Sequence, residues 1–131
     1  LYATLLGDKR PDSLRSLVQV STQSVQQFNE EVIDSSMVYY QSYAGHVNKH
    51  YPNIIWRTMA NIIKDYEGSN DGMVGIESSK WGNYRGIIQN ENALSVSHGD
   101  MVGLTHFLGN TKFDAKQFFL DMVHELKEKG Y

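Results

Sequence analysis

Apolar residues recur three and four positions apart in four stretches of the chain, which is the spacing of one helix face. These stretches begin near residues 12–13, near residues 21–22, at residue 54 and at residue 114. The first two follow Asp, Ser or Thr residues of the kind that cap helices. The predicted apolar faces are Leu14, Leu17 and Val18; Val25, Phe28 and Val32; Ile55, Met59, Ile62, Ile63 and Tyr66; and Ala115, Phe118, Phe119, Met122, Val123 and Leu126. We interpret the last face, which is the clearest, as core packing.

Segments rich in β-forming residues lie between the predicted helices. Residues 37–43 predict a strand that ends at Ala44, and residues 86–88 and 93–96 predict two shorter ones. Residues 67–72 (EGSNDG) carry the strongest turn signal of the chain. The order helix, strand, helix, strands, helix is typical of an α/β fold with parallel strands.

Size, charge and composition exclude several classes of protein. The chain has 131 residues and a net charge of −3, and this length is typical of one domain with a real core. No apolar run approaches the roughly 18 residues of a membrane-spanning helix, and no basic cluster indicates a nucleic-acid partner. The absence of cysteine excludes disulfides, thiolate metal sites and a cysteine nucleophile.

Two residues in loops carry the candidate chemistry. Asp71 lies in the turn at 67–72, and His98 directly follows a predicted strand. Turn formation alone explains an Asp-Gly pair, and a lone histidine is more often structural than catalytic. Together, however, they follow the chain order of α/β-hydrolases, in which an acid precedes a histidine and both occupy loops after late strands. The acid would orient the imidazole, and the histidine would carry the proton.

The nucleophile that such a hydrolase needs has no candidate among the serines. A nucleophile elbow requires G-x-S-x-G, because side chains flanking the serine do not fit its strained turn. None of the serines lies in this pattern. Either the protein is not a serine hydrolase, or its nucleophile belongs to a segment outside these 131 residues.

A metal-dependent hydrolase is a further alternative. His46 and His50 have the i, i+4 spacing that zinc ligands use on a helix. Gly45 and Pro52 disfavour a helix there, and a third ligand has no clear candidate.

Four segments resemble motifs of one enzyme family, the bacterial true triacylglycerol lipases. Residues 70–74 (NDGMV) resemble its N-D-G-[LMV]-V motif, and residues 98–102 (HGDMV) resemble its H-[LV]-[DE]-x-[VI] motif. Residues 113–120 (FDAKQFFL) resemble F-D-x-x-x-F-Y-L at the start of the last helix in the Bacillus-type and staphylococcal branch. Residues 39–45 (YYQSYAG) are similar to its Y-Y-S-[WY]-x-G strand, and residues 16–29 are similar to the helix that leads to it. The resemblance therefore spans about residues 13–129.

This resemblance implies the C-terminal half of an α/β-hydrolase fold, a mostly parallel sheet flanked by helices. Residues 13–131 would form the C-terminal part of a single catalytic domain, and residues 1–12 would be a residual lid or loop segment. The N-terminal half of the lipase, as a companion chain or a further segment, would carry the G-H-S-x-G elbow and the oxyanion loop. We therefore expect the 131 residues alone to be inactive.

The resemblance also implies roles for three residues. Asp71 would be the acid of a Ser–Asp–His triad, and His98 would be its general base and acid. Asp100 would be a carboxylate ligand of a structural calcium ion that steadies the histidine loop, and no organic cofactor is expected. The family's second calcium carboxylate is an Asp whose position differs between its branches. In the Pseudomonas-type branch it belongs to an Asp-Pro, whose nearest counterpart here is Tyr51-Pro52. In the Bacillus-type branch it follows the histidine by seven residues, where this chain has Thr105.

The leading hypothesis is thus a secreted bacterial lipase that hydrolyses carboxylesters at an oil–water interface. The alternative is a non-catalytic α/β binding domain that exposes an apolar patch to a protein or lipid partner. The distance between the two candidate side chains discriminates them. Hydrogen-bond contact between Asp71 and His98 supports the triad, whereas a separation beyond about 6 Å supports the binding domain.

Overall fold

A computed structural model of the chain describes residues 18–89, 95–104 and 113–131. It divides into two compact units, Leu1–Val38 and Tyr39–Tyr131. The predicted lid segment at 1–12 and most of the first predicted helix lie outside the described residues, so the domain assignment stays a prediction. In the described part of the chain, no helix is long and apolar enough to cross a membrane.

The described part of the first unit is dominated by helix α1, Thr22–Glu31. Its N-cap is Ser21, whose side chain accepts a hydrogen bond from the backbone N–H of Ser24. The sequence correctly located this helix because its cap is local. Its predicted apolar face is not buried against any described residue, and Phe28 remains exposed.

The second unit contains a two-stranded parallel sheet. Strand β1, Gln41–Ala44, pairs with strand β2, Asn83–Ile87, with Gln41 opposite Asn83 and Ala44 opposite Ile87. Such a small parallel sheet among helices is compatible with a partial α/β fold. A parallel pair requires a crossover connection, and helix α2 lies within it.

Two predicted strand limits are wrong. The strand predicted at 37–43 begins only at residue 41, because pairing with β2 begins there, and Met37 lies exposed in a turn closed by Ser35. The strand predicted at 86–88 begins earlier, at Asn83. Of the segment predicted at 93–96, the described residue Val96 forms an isolated antiparallel bridge with His46.

Helix α2, Ile54–Glu67, carries the core of the second unit. Asn53 caps it by accepting from the N–H groups of Ile55 and Trp56, and Gly68 ends it with a φ of 71°. A positive φ suits glycine because other residues have a Cβ that crowds the backbone there. The sequence predicted both limits within a residue.

The buried face of α2 differs from the predicted one. The core cluster consists of Val47, Tyr51, Trp56 and Ala60, with Met59 packed against it. Of the predicted face, Ile55, Ile62 and Tyr66 are exposed. Spacing identified an apolar face correctly, but α2 has apolar residues on two sides, and only packing partners decide which side is covered.

Helix α4, Ala115–Glu128, follows the short helix α3, His98–Met101. Asp114 caps α4 by accepting from Gln117 N, so the helix begins within a residue of its predicted start. The helix touches the sheet through Phe118, whose ring meets Tyr43 of β1 edge-on at 5.1 Å. No side chain of α4 is fully buried, so its expected core packing is not met by the described residues.

Candidate active site

Asp71 lies in the loop that follows α2 and is 3 % exposed. Its Oδ1 accepts hydrogen bonds from the backbone N–H groups of Met73 (2.9 Å) and Val74 (2.8 Å). Its own N–H donates to the Val74 carbonyl. The turn thus closes around one carboxylate oxygen and leaves the other, Oδ2, for a partner outside the loop.

Asn70 fixes this acid loop to the rest of the unit. Its Nδ2 donates to the carbonyls of Ala60 and Gly68, and its Oδ1 accepts from Gly72 N, all at 2.9 Å. Its carbonyl accepts from Val47 N, which follows β1. Because each polar atom of this buried side chain is paired, the loop is tied to both α2 and the end of β1.

His98 is the first residue of α3 and reaches the acid loop twice. Its backbone N–H donates to the Asp71 carbonyl at 3.0 Å. Its Nδ1 lies 2.9 Å from Asp71 Oδ2. Since a carboxylate accepts only, this contact places the proton of the neutral imidazole on Nδ1 and leaves a lone pair on Nε2. No described residue hydrogen-bonds to Nε2.

The electrostatics of the pair favour the charged imidazole. The hydrogen bond that His98 donates to Asp71, together with the negative charge of Asp71, raises the pKa of His98 above 6.5 and outweighs the opposing effect of burial. The His98 side chain keeps 35 % of its surface exposed while Asp71 is buried. This geometry is that of a base oriented by a buried acid, with its reactive nitrogen directed away from the acid.

Trp56 lies beneath the acid loop and the start of α3, and it is 6 % exposed. A Cβ added to Gly72 would come within 2.7 Å of its Cε3, and one added to Gly99 within 2.5 Å of its Cζ2. The indole therefore packs directly on the backbone beside the acid and beside the histidine. Its contact with Gly99 also explains why this chain lacks the Leu or Val that the lipase motif has after the histidine.

Asp100, the predicted calcium ligand, is fully buried in a hydrogen-bond network. Its Oδ2 accepts from Tyr51 Oη (2.6 Å), Ser97 N (2.8 Å) and Ser97 Oγ (2.9 Å). Burial, and then the hydrogen bond to Asp100, raise the pKa of Tyr51 far above its ordinary value, so its hydroxyl keeps its proton.

The donor set around Asp100 does not fit a calcium ion among the described residues. Calcium takes six to eight oxygen ligands, usually with several carboxylates. Oδ2 of Asp100 already accepts three hydrogen bonds, so Oδ1, which is buried with no partner among the described residues, is its one oxygen left for an ion. No group of three or more His, Cys, Asp or Glu residues that could hold a metal occurs there. Calcium binding stays a prediction because residues 105–112, where further ligands were expected, lie outside the described residues.

The described residues do not give His46 and His50 the helical arrangement that the zinc alternative requires. His46 and His50 do not share a helix; His46 forms the bridge with Val96, and His50 lies in a turn next to Asn48. Their i, i+4 spacing therefore does not place both imidazoles on one helix face.

Three residues of the site were missed in the sequence: Tyr51, Trp56 and Ser97. Ser97 had a readable signal, because Ser before His98 with Asp100 three positions later forms a capping box. Tyr51 had a weaker one, since Tyr51-Pro52 is the nearest counterpart of the Asp-Pro that the resemblance implies for the second calcium carboxylate. Nothing local marked Trp56, whose role depends on two loops distant in sequence.

Comparison with known proteins gives one curated relative. The chain is 29 % identical over 121 residues to triacylglycerol lipase 2 of Saccharomyces cerevisiae, in an alignment that covers 86 % of this chain. It spans only 37 % of the length of that yeast protein. No protein-family model and no solved structure matches the chain. This similarity supports a lipase-like relationship and, with it, a lipase-type hydrolase.

Proposed function

We propose that this chain supplies the acid and the histidine of a Ser–His–Asp triad that hydrolyses carboxylesters, with triacylglycerols as the substrate class. The observation that carries the proposal is the 2.9 Å contact between His98 Nδ1 and Asp71 Oδ2. The binding-domain alternative treats these residues as unrelated turn residues, and nothing in that alternative requires them to meet. The similarity to a yeast triacylglycerol lipase supports the same reaction class.

The geometry assigns each group a step. The Nε2 lone pair of His98 takes the proton of a serine hydroxyl as that oxygen attacks the ester carbonyl. Asp71 stabilises the imidazolium formed, and Nε2 then donates the proton to the departing alcohol oxygen as the C–O bond breaks. Water repeats the sequence on the acyl-enzyme, and His98 is again the base. Backbone N–H groups that stabilise the tetrahedral oxyanion would belong to the segment that carries the serine.

The serine would come from the N-terminal half of the same lipase, as a companion chain or a further segment. The exposure of two apolar side chains supports such a partner. In the described residues, Ile62 on α2 and Val123 on α4 are both more than 60 % exposed. Parallel sheets are usually covered by helices on both faces, so a larger α/β unit would cover these positions. A bacterial source and secretion remain predictions.

An organophosphorus ester that reacts with activated serines tests the proposal. In the full-length protein we expect one serine to be phosphorylated, and mass spectrometry should locate it outside these 131 residues, within a G-x-S-x-G sequence. The isolated 131-residue chain should neither react nor hydrolyse tributyrin, because it has no nucleophile.

The matched control is Asp65→Asn, an exposed acid on α2, which should label at the unchanged rate while Asp71→Asn labels much more slowly. Labelling of a serine within the chain, or ester hydrolysis by the chain alone through His98, would contradict the division of the triad. No labelling and no esterase activity in the full-length protein would favour the binding domain.

The pH dependence of kcat/KM gives a second prediction. The neutral form of His98 is the base, and Asp71 raises the pKa of His98 above 6.5. Activity should therefore fall as the pH drops through a midpoint above 6.5. Asp71→Asn removes the cause of the shift and should move this midpoint to lower pH, besides lowering the rate. A midpoint that is the same in both proteins would show that another group controls the acid limb.

The same shift predicts the sign of the effect on folding. Because the folded-state pKa is raised, the stabilisation from the charged pair is complete below the unfolded pKa. It is lost as the pH rises through the folded-state value.

A further inference from the structure

We propose that the buried network of Tyr51, Ser97 and Asp100 positions His98 for catalysis without a bound metal ion. The proposal rests on the hydrolase function proposed above, and it makes Tyr51 a positioning residue for His98. Tyr51 is this chain's nearest counterpart of the second calcium carboxylate that the resemblance to bacterial lipases implies, and its hydroxyl donates to the other predicted carboxylate, Asp100.

The network is shielded from bulk solvent. Tyr51 is 1 % exposed, and Ser97 and Asp100 are fully buried. Tyr51 Oη lies 2.6 Å from Asp100 Oδ2 and 2.9 Å from Ser97 Oγ. With Ser97 N at 2.8 Å and Ser97 Oγ at 2.9 Å, one carboxylate oxygen accepts three hydrogen bonds. Hydrogen bonds to a charged acceptor are stronger than neutral ones, and more so away from water.

In the sequence, His98 lies between Ser97 and Asp100, two members of this network. Ser97 and Asp100 form a reciprocal capping box around the turn that begins with His98. Ser97 Oγ also accepts from Asp100 N at 3.2 Å. Four residues of backbone are thus closed at both ends, so the direction of the imidazole follows from the position of the box.

Tyr51 connects the capping box to the buried core of the unit. It belongs to the core cluster with Val47, Trp56 and Ala60, whereas Ser97 and Asp100 are 46 and 49 positions away in the chain. The hydroxyl is the only atom by which the Tyr51 side chain can hydrogen-bond. Without it the box would remain closed, but it would lose its hydrogen-bonded anchor to the core.

A divalent cation in the lipase motif would perform this same anchoring by joining Asp100 to a second carboxylate. Here the neutral hydroxyl of Tyr51 donates a hydrogen bond to Asp100 instead. Because only one carboxylate is present in this arrangement, no positive ion is needed to offset repulsion between two acids. Oδ1 of Asp100 is buried without a partner in the described residues. That atom is where a cation would bind if the proposal is wrong.

The test uses the full-length protein and compares Tyr51→Phe with wild type. We expect kcat for tributyrin to fall roughly 10- to 100-fold, as for a misaligned catalytic group, with KM unchanged. The low-field ¹H NMR signal of the His98 Nδ1 proton should broaden or shift. Tyr66→Phe, an exposed tyrosine on α2, is the matched control and should change neither.

Calcium and chelator form the second arm, on wild-type protein. Neither EDTA nor added CaCl₂ should change kcat or the melting temperature. If Tyr51→Phe does not fold, Ser97→Ala, which removes one donor and the cap, replaces it with the same expected split between kcat and KM.

Three results separate the possible failures. Normal kcat and an unchanged Nδ1 signal in Tyr51→Phe would overturn the positioning role. Loss of activity in EDTA that CaCl₂ restores would overturn the metal-free arrangement. Full activity of His98→Ala would refute the proposed function itself, whereas an inactive His98→Ala beside a normal Tyr51→Phe refutes only this inference.

Discussion

Replacing His98 with alanine in the full-length protein should lower kcat for ester hydrolysis by about 10³-fold or more, with little change in KM. The loss is large because the imidazole both takes the proton from the attacking hydroxyl and returns it to the leaving alcohol. No neighbouring group of the described residues replaces it, since Asp71 has one oxygen engaged by Met73 N and Val74 N. Initial rates on tributyrin across substrate concentrations measure both constants.

The matched control for this substitution is His124→Ala. His124 is an exposed histidine of α4, so His124→Ala also removes one histidine. Surface substitutions usually change the free energy of unfolding by less than about 0.5 kcal/mol. We therefore expect the kcat of this variant to stay within about twofold of wild type. The circular dichroism and melting temperature of both variants should match wild type. Near-normal turnover in His98→Ala would refute the assignment of this residue as the general base.

The second large effect concerns stability. Trp56→Ala should lower the free energy of unfolding by about 3–5 kcal/mol, the usual cost of emptying a large aromatic site in a core. The indole is 6 % exposed and contacts the core cluster as well as the backbone at Gly72 and Gly99. Because these glycines follow the acid and the histidine, kcat should fall together with stability.

Urea unfolding followed by circular dichroism measures this change. Trp81→Ala is the control, because Trp81 is 39 % exposed and its hydrogen bonds to Ser42 use backbone atoms only. It should cost clearly less than Trp56→Ala and leave kcat unchanged. Equal destabilisation by the two variants would show that Trp56 has no special place beneath the two loops.

Sequence alone selected Asp71 and His98 because each belongs to a short motif whose order is informative. It selected Asp100 through the same motif but assigned it to calcium, whereas the structure surrounds it with Tyr51 and Ser97. Motif position selected the residue, and its role as a calcium ligand stays a prediction. The chemistry of its partner depended on Tyr51, 49 positions away, where this chain departs from the family.

Helix limits and helix faces differ in how far they could be predicted. The caps Ser21, Asn53 and Asp114 each bond to N–H groups at most three residues ahead, so local sequence contains the whole interaction. The buried face of α2 depends on what packs against it. Ile62 satisfies the helical spacing as well as Ala60 does, yet Ala60 is covered and Ile62 is exposed.

The amino-acid sequence by itself determined the caps, the acid turn, the capping box and the order in which acid and histidine occur. All of these are interactions among residues within a few positions of each other, so they need no distant partner. Only the tertiary structure decided that His98 meets Asp71 across 27 positions and that Tyr51 anchors Asp100. Such contacts require the ends of separate elements to be brought together, and packing around Trp56 supplies the energy that holds them there.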